Sequence, residues 1–387
     1  MIRTFAAAAI LLATALPATA FETRATAAYV YDQTTGTVLL NKNADDPLPP
    51  ASMSKLMTLY VAFEAIKRGQ LRMTDELVVS AHANSFGGST LFLKTGERVT
   101  VEELMRGIIV LSGNDACVVI AEALSPDGTE GGFARMMTRR AQDMGLTNST
   151  FINSSGWPAA GHRMSMRDLG ELATRLIEDF PEFYPMFAET EFLFDATESA
   201  NRYNRNPLLK LGIGADGLKT GHTQEAGYGL TGSAKQGDRR IVFVLSGLDT
   251  TAIRAQEAEA IVNWAFRQFA ERTLASEGQR ITTAPVWEGA EPVVGLVPAE
   301  DISVLLPVLA SKEVAAEVVF KGPIQAPIVA GTPLAELVLQ PEGLPEQRFS
   351  LVAEADVAHG GFLARISTAA MSLFDQISSD AASESGT

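Results

Sequence analysis

Ser52 and Lys55 stand three residues apart in Pro49-Pro50-Ala51-Ser52-Met53-Ser54-Lys55, where a proline-rich loop gives way to an apolar stretch. On a helix that spacing puts both side chains on one face, a turn apart. A serine hydroxyl is a weak nucleophile until a base takes its proton. A lysine can be that base when burial and nearby positive charge lower its pKa. A helix start adds positive potential and favours negative charge developing beside it. Taken alone, the pair is better read as an N-cap serine with an exposed lysine one turn on. A second group, Ser112-Gly113-Asn114-Asp115-Ala116, offers a hydroxyl and an amide between apolar runs. A third, Lys219-Thr220-Gly221-His222-Thr223, offers a cation and a hydroxyl suited to a carboxylate, with Gly217 before it and glycine-rich alternation after it. Small residues there let a substrate backbone lie against a strand. Ser-x-x-Lys occurs once, but the second and third groups each have a decoy. Ser199-Ala200-Asn201 sits in a polar stretch without an apolar frame, and Lys94-Thr95-Gly96 precedes Ser112 and reads as a turn. The order Ser-x-x-Lys, Ser-x-Asn, Lys-Thr-Gly is met only with Lys219.

The surrounding pattern supplies the elements that must position these groups. Residues 27–40 read as a hairpin around Gly36, and 41–50 as a polar loop. Ser52 to Gly69 reads as a helix, with Leu56, Leu59, Tyr60, Phe63 and Ile66 at helical spacing. Further helices are expected over Val101–Leu124, Phe133–Met144 and Met166–Ile177. Residues 227–247 alternate like paired strands, and Arg254–Arg272 reads as a last amphipathic helix. The texture changes near Ser276. All six tyrosines precede residue 230, and half of the 18 prolines follow Ser276. Short Val/Ile/Leu runs over 281–358 suggest a small all-β module.

The chain has 387 residues, room for two or three domains. Its 46 acids against 31 bases give a net charge of −15. That balance repels a phosphate backbone and argues against nucleic acid as a partner. Four scattered histidines and one cysteine argue against a zinc site, and no cofactor is suggested. Cys117 cannot pair within the chain and lies in an apolar helical run, so it reads as a buried, inert thiol. Arg3, the apolar run Phe5–Leu16 and Ala18-Thr19-Ala20 form a signal-peptide pattern over residues 1–20, with a retained anchor as the alternative. Export is therefore expected. At the other end, Phe362, Leu363, Ile366, Leu373, Phe374 and Ile377 share one helical face. The stretch Gly361–Ser378 reads as an in-plane helix on a membrane surface, or as a terminal helix packed on its own domain. From Gly361 onward one base faces three acids, so attraction to anionic lipid is missing.

The ordered triple resembles the serine D-alanyl-D-alanine carboxypeptidases, the low-molecular-mass penicillin-binding proteins of the DD-peptidase and β-lactamase superfamily. Pro50–Thr58, Ser112–Ala116, Gly217–Thr223 and Ala255-Gln256-Glu257-Ala258-Glu259 carry the likeness, and it runs over nearly the whole chain. It implies an α/β (α+β) catalytic domain at 21–275, with a mainly antiparallel sheet and a helical cluster. A small all-β domain at 276–360 and the terminal helix and tail at 361–387 follow.

The resemblance also implies roles. Ser52 attacks the penultimate D-Ala carbonyl of a peptidoglycan pentapeptide stem, with Lys55 as general base. Ser112 relays a proton to the leaving amine, helped by Lys219. Asn114 binds substrate backbone and steadies Lys55. The N–H groups of Ser52 and His222 form an oxyanion hole, with no acid–base role for the His222 ring. Gly221 lines the substrate. Thr220 and Arg254 hold the terminal carboxylate, although Arg239, Arg240 and Arg267 are alternatives to Arg254. β-Lactams would acylate Ser52. The implied location is periplasmic, peripheral on the outer face of the inner membrane. Gly113 stands where class A β-lactamases carry Asp, and no Glu-x-x-Leu-Asn stretch follows Asn114, so the likeness favours a peptidase over a β-lactamase. An endopeptidase and a non-catalytic wall-binding protein are the other readings; the all-β module and the filled catalytic positions speak against them.

Overall fold

A hairpin comes first among the described residues. β1 (Ala27–Asp32) and β2 (Thr37–Lys42) pair antiparallel about a turn where Gly36 takes φ +70°. Asp32, wholly buried, holds the turn by accepting from the Thr35 N–H and hydroxyl. The computed structural model describes residues 21–361 except 196–197, 199, 309–313 and 342–343. The leader expected at 1–20, the expected terminal helix beyond Gly361 and the decoy Ser199 lie outside these.

A 3₁₀ turn over Ala51–Ser54 leads into α1 (Lys55–Lys67). The expected apolar stripe is there, but Met57, Thr58, Val61 and Ala62 on the other faces are buried too. A helix apolar all round belongs inside a core, and α1 runs through the middle of this one. β3 (Glu76–Val78) and β4 (Arg98–Thr100) form a small antiparallel pair, with α2 (Ala81–Asn84) between them in sequence. A capping box of Thr100 and Glu103 starts α3 (Val101–Arg106).

The single helix expected over Val101–Leu124 is not what forms. α3 passes into a π turn over Gly107–Leu111, Ser112 takes φ +64°, and α4 (Asn114–Leu124) starts afresh. Leu91 causes the interruption. A β-carbon at Gly107 or Gly113 would collide with its side chain, so only glycine allows Leu91 to wedge between the two helices. The Asp115 carboxylate fixes the wedge by accepting from the Leu91 and Leu93 N–H groups at 3.0 and 3.2 Å. α5 (Glu130–Asp143) and α6 (Met166–Asp179) follow, capped by Thr129 and Ser165.

The main sheet is completed late in the chain by β5 (Ala215–Thr223), β6 (Gly227–Gln236) and β7 (Arg239–Leu248). Its order is β2-β1-β7-β6-β5, antiparallel at every pairing, which leaves β5 at an edge. α6 and α7 (Thr251–Gln268) pack on the sheet, while α1, α4 and α5 pack on one another. The helix expected over Arg254–Arg272 thus starts earlier and ends at Gln268. Arg239 takes the Phe269 carbonyl at 2.9 Å, and the chain leaves the helix as an extended strand.

The compact unit Phe21–Phe269 ends there, and another begins at Ala270. β8 (Phe269–Ala275) pairs with β11 (Ile302–Pro307). A six-stranded sheet is built from β9 (Thr282–Trp287), β10 (Val293–Pro298), β12 (Ala315–Phe320), β13 (Ile324–Gln325), β14 (Pro333–Gln340) and β15 (Gln347–Ala353). This all-β unit has its own core of Ala284, Leu296, Val304, Leu337 and Leu351. The change of texture near Ser276 falls one strand after the division, because β8 is already part of the second unit.

Candidate active site

Ser52 sits in the 3₁₀ turn and Lys55 is the first residue of α1. The Lys55 side chain is 0% exposed and its Nζ reaches three acceptors: Ser52 Oγ at 2.8 Å, Asn114 Oδ1 at 2.8 Å and the Ser155 carbonyl at 2.6 Å. Burial lowers its pKa to about 8, and Arg205 pushes in the same direction. In its neutral form Lys55 keeps two hydrogens. Asn114 Oδ1 and the Ser155 carbonyl can only accept, so those hydrogens go to them and the lone pair faces the Ser52 hydroxyl. That is the geometry of a base taking the serine proton.

The break between α3 and α4 explains how Ser112 and Asn114 arrive together. Ser112 lies at the αL corner and Asn114 opens α4, with its Nδ2 donating to the Gly87 carbonyl at 2.8 Å. Ser112 Oγ is buried and has no hydrogen-bond partner among the described residues. Cys117, one turn into α4, is fully buried, and burial pushes its thiol up to about 12.

β5 brings Lys219, Thr220, Gly221 and His222 to the sheet edge. Lys219 is buried, and its pKa is held well below the usual lysine value by that burial and by Lys55 and Arg205. A β-carbon on Gly221 would sit 3.0 Å from Met53 Cγ and from the Pro50 carbonyl. Glycine thus lets the strand lie close to the turn that carries Ser52 without displacing it. The His222 ring is exposed and stacks on Tyr228, with centroids 3.8 Å apart, so its backbone rather than its ring faces the edge pairing. Arg254, in the first turns of α7, is buried; its guanidinium donates to the Arg205 carbonyl at 3.3 Å while Nε stays without a partner.

Arg205, Ser155, Glu130 and Gly156 were not singled out by any motif in the sequence. Arg205 donates to Ser89 Oγ at 2.6 Å and to the Leu111 carbonyl at 3.0 Å, which places it beside the Ser112 corner. It sits between Asn204 and Asn206, whose side chains tie this turn to the Glu189 and Gly217 carbonyls. The flanking asparagines were the available hint. Ser155 acts through its carbonyl, and Glu130 fixes that loop by accepting from the Ser154 N–H and hydroxyl at 2.9 and 2.7 Å. Gly156, at φ +77°, lies so close to the Ala51 carbonyl that any side chain would collide with it. Lys55, Lys219, Arg205 and Arg254 make no ion pair among the described residues. In a chain of net charge −15, gathered cations without a carboxylate form a place for an anion.

A family profile for D-alanyl-D-alanine carboxypeptidase matches residues 13–250, and one for the C-terminal domain of penicillin-binding protein 5 matches 269–359. The chain is 36% identical to D-alanyl-D-alanine carboxypeptidase DacF of Bacillus subtilis, over 88% of this chain and 87% of that one. Penicillin-binding protein 5 of Haemophilus influenzae superposes with a TM-score of 0.75 at 31% identity, over 88% and 99% of the two chains. Penicillin-binding protein D2 of Listeria monocytogenes, solved in an ampicillin-bound form, matches with a TM-score of 0.56 at 30% identity, over 63% and 98%.

Proposed function

The chain belongs to the D-alanyl-D-alanine carboxypeptidase family, serine-type hydrolases, and from that premise we propose how its residues carry the reaction. A peptide ending in D-Ala-D-Ala lies antiparallel along the β5 edge, its terminal carboxylate held by Thr220 and Arg254 with Arg205 beside them. An arginine fork suits a carboxylate better than a lone ammonium does. Lys55 takes the Ser52 proton, and Ser52 Oγ attacks the penultimate carbonyl. The oxyanion is met by the N–H groups of Ser52 and His222, each such donor being worth ~10²–10³ in rate. Ser112, with Lys219, passes a proton to the leaving D-Ala amine. Water then attacks the ester, with Lys55 again as base, and frees Ser52.

The triple contact of Lys55 Nζ with Ser52, Asn114 and the Ser155 carbonyl carries this reading. A β-lactam would enter the same step and remain as a Ser52 ester, consistent with the ampicillin-bound form of the Listeria relative. Mass spectrometry after benzylpenicillin tests it: an adduct mapped to Ser52 is expected, and an unmodified Ser52 peptide would sink the mechanism. Release of D-Ala from acyl-D-Ala-D-Ala tests the activity itself. We place the protein outside the cytoplasm on the leader pattern of residues 1–20, and on a membrane surface through Gly361–Ser378. Fractionation of full-length protein and of a chain ending at Gly360 tests the attachment; full-length protein in the soluble fraction would exclude it.

A further inference from the structure

One buried carboxylate beside the Ser155 loop has no part in the chemistry above. Glu130 opens α5 and is 9% exposed. An acid in the first turn of a helix steadies that helix by its charge alone, so its partners decide whether it does more. Its Oε1 accepts from the Ser154 N–H at 2.9 Å and from the Ser154 hydroxyl at 2.7 Å. Its Oε2 faces Nε2 of His82, a half-exposed ring, at 3.3 Å.

Ser154 is wholly buried and is held on its other side too. Its carbonyl accepts from Thr58 Oγ1 of α1 at 2.6 Å. Ser154 is therefore spanned between α5 and α1, and the next residue presents the carbonyl that takes Lys55 Nζ at 2.6 Å. Asn153 Oδ1 closes the turn by accepting from the Ser155 and Gly156 N–H groups at 3.2 and 2.8 Å. Glu130, Thr58 and Asn153 are not among the acceptors of Lys55 Nζ; they fasten the segment that supplies one of them. Of the three only Glu130 is a carboxylate, and hydrogen bonds to an ionised group are roughly twice as strong as neutral ones.

Resting on the carboxypeptidase reading, we propose that Glu130 is a positioning residue for the base: by holding Ser154 it keeps the Ser155 carbonyl on Lys55 Nζ. That carbonyl takes one of the two hydrogens of neutral Lys55 and so helps turn the lone pair to Ser52. Without it the lone pair is no longer aimed, and the ammonium keeps two acceptors instead of three. Ser52 acylation then slows. The charged form is also less favoured, so Lys55 gives up its proton at lower pH.

Two variants separate this role from charge at a helix start. Glu130→Asp keeps the charge and withdraws the carboxylate by one methylene. Glu130→Gln removes the charge and keeps Oε1 for Ser154, while its amide can donate to the neutral His82 ring. Benzylpenicillin acylation of the full chain, followed against pH, reads both the plateau rate and its midpoint. The other charged or titratable neighbours of Lys55, namely Asp115 and Cys117 of α4, Arg205 and Lys219, are unaltered in both variants. Glu130→Asp should lower the plateau roughly tenfold, the scale of a hydrogen bond to a charged group, and bring the midpoint below that of the wild-type chain. Glu130→Gln should keep most of the wild-type rate, with its midpoint unmoved. Glu130→Gln falling as far as Glu130→Asp would assign the residue to its charge and overturn the proposal. A Glu130→Asp midpoint that does not fall would leave Glu130 a part of the fold alone and overturn it equally. Should Glu130→Asp fail to fold, Ser154→Ala, which removes one of the two donors to Oε1, decides in its place: a lower rate and midpoint support the proposal, and wild-type values overturn it. A wild-type chain whose Ser52 takes no penicillin would instead defeat the mechanism itself, and this proposal with it.

Discussion

Lys55 has three hydrogens when charged and three acceptors to take them, so it is fully satisfied as an ammonium and becomes a base only by giving one up. Its pKa near 8 sets the pH dependence. Below that value the neutral fraction falls about tenfold per unit. Acylation of Ser52 should therefore rise with pH and level off above about 8, read as kcat/KM or as the penicillin acylation rate between pH 5.5 and 9. Lys55→Met should lower that rate by ~10²–10⁴, the usual worth of a positioned base. Cys117 gives the opposite case. Its thiol is buried and pushed up to about 12, so iodoacetamide at pH 8 should leave it unmodified until the chain is denatured; alkylation of native protein, seen by mass, would contradict its burial. Ser52, Lys55, Ser112, Asn114 and Lys219 were legible as candidates because their side chains stand at recognisable spacings. Ser155 was not, since a backbone carbonyl is carried by any residue, and Arg205 was not, since no motif spacing ties it to the others.

At the scale of elements, the hairpin, α1 and the β6–β7 pair followed their apolar periods. The break between α3 and α4 did not, because the apolar pattern runs on through Gly107–Leu111 into α4 and hides a corner imposed by Leu91 from outside the segment. Periodicity records which residues are buried; it cannot record that a neighbouring loop has entered between two turns. The extent of α7 was missed for a similar reason, a distant arginine capturing the Phe269 carbonyl. The loop over Asn153–Trp157 makes its own demand. Gly156→Ala would combine a left-handed backbone with a collision at the Ala51 carbonyl. It should cost more than about 1 kcal/mol in stability, measured by urea unfolding. It should also slow Ser52 acylation, because the Ser155 carbonyl would move from Lys55. Unchanged acylation would mean that the loop does not set the lysine.

At the scale of the molecule, an acidic chain gathers Lys55, Lys219, Arg205 and Arg254 from four separate segments with no ion pair to any of them among the described residues. If that cluster exists for a terminal carboxylate, a substrate capped as D-Ala-D-Ala amide should lose at least roughly tenfold in kcat/KM, the scale of a charged hydrogen bond. Arg254→Gln should bring the free acid down to the same level. Equal turnover of acid and amide by the wild-type chain would assign the cluster elsewhere. The position of β5 in the sheet has a last consequence, for self-association. An edge strand with open N–H and C=O groups invites another chain to pair with it and start an aggregate. Here the 3₁₀ turn lies close against Gly221 of that strand. The close packing of that turn on Gly221 leaves less of the strand open to a second sheet. Gly221→Val, by displacing that turn, should raise light scattering with concentration above that of the wild-type chain.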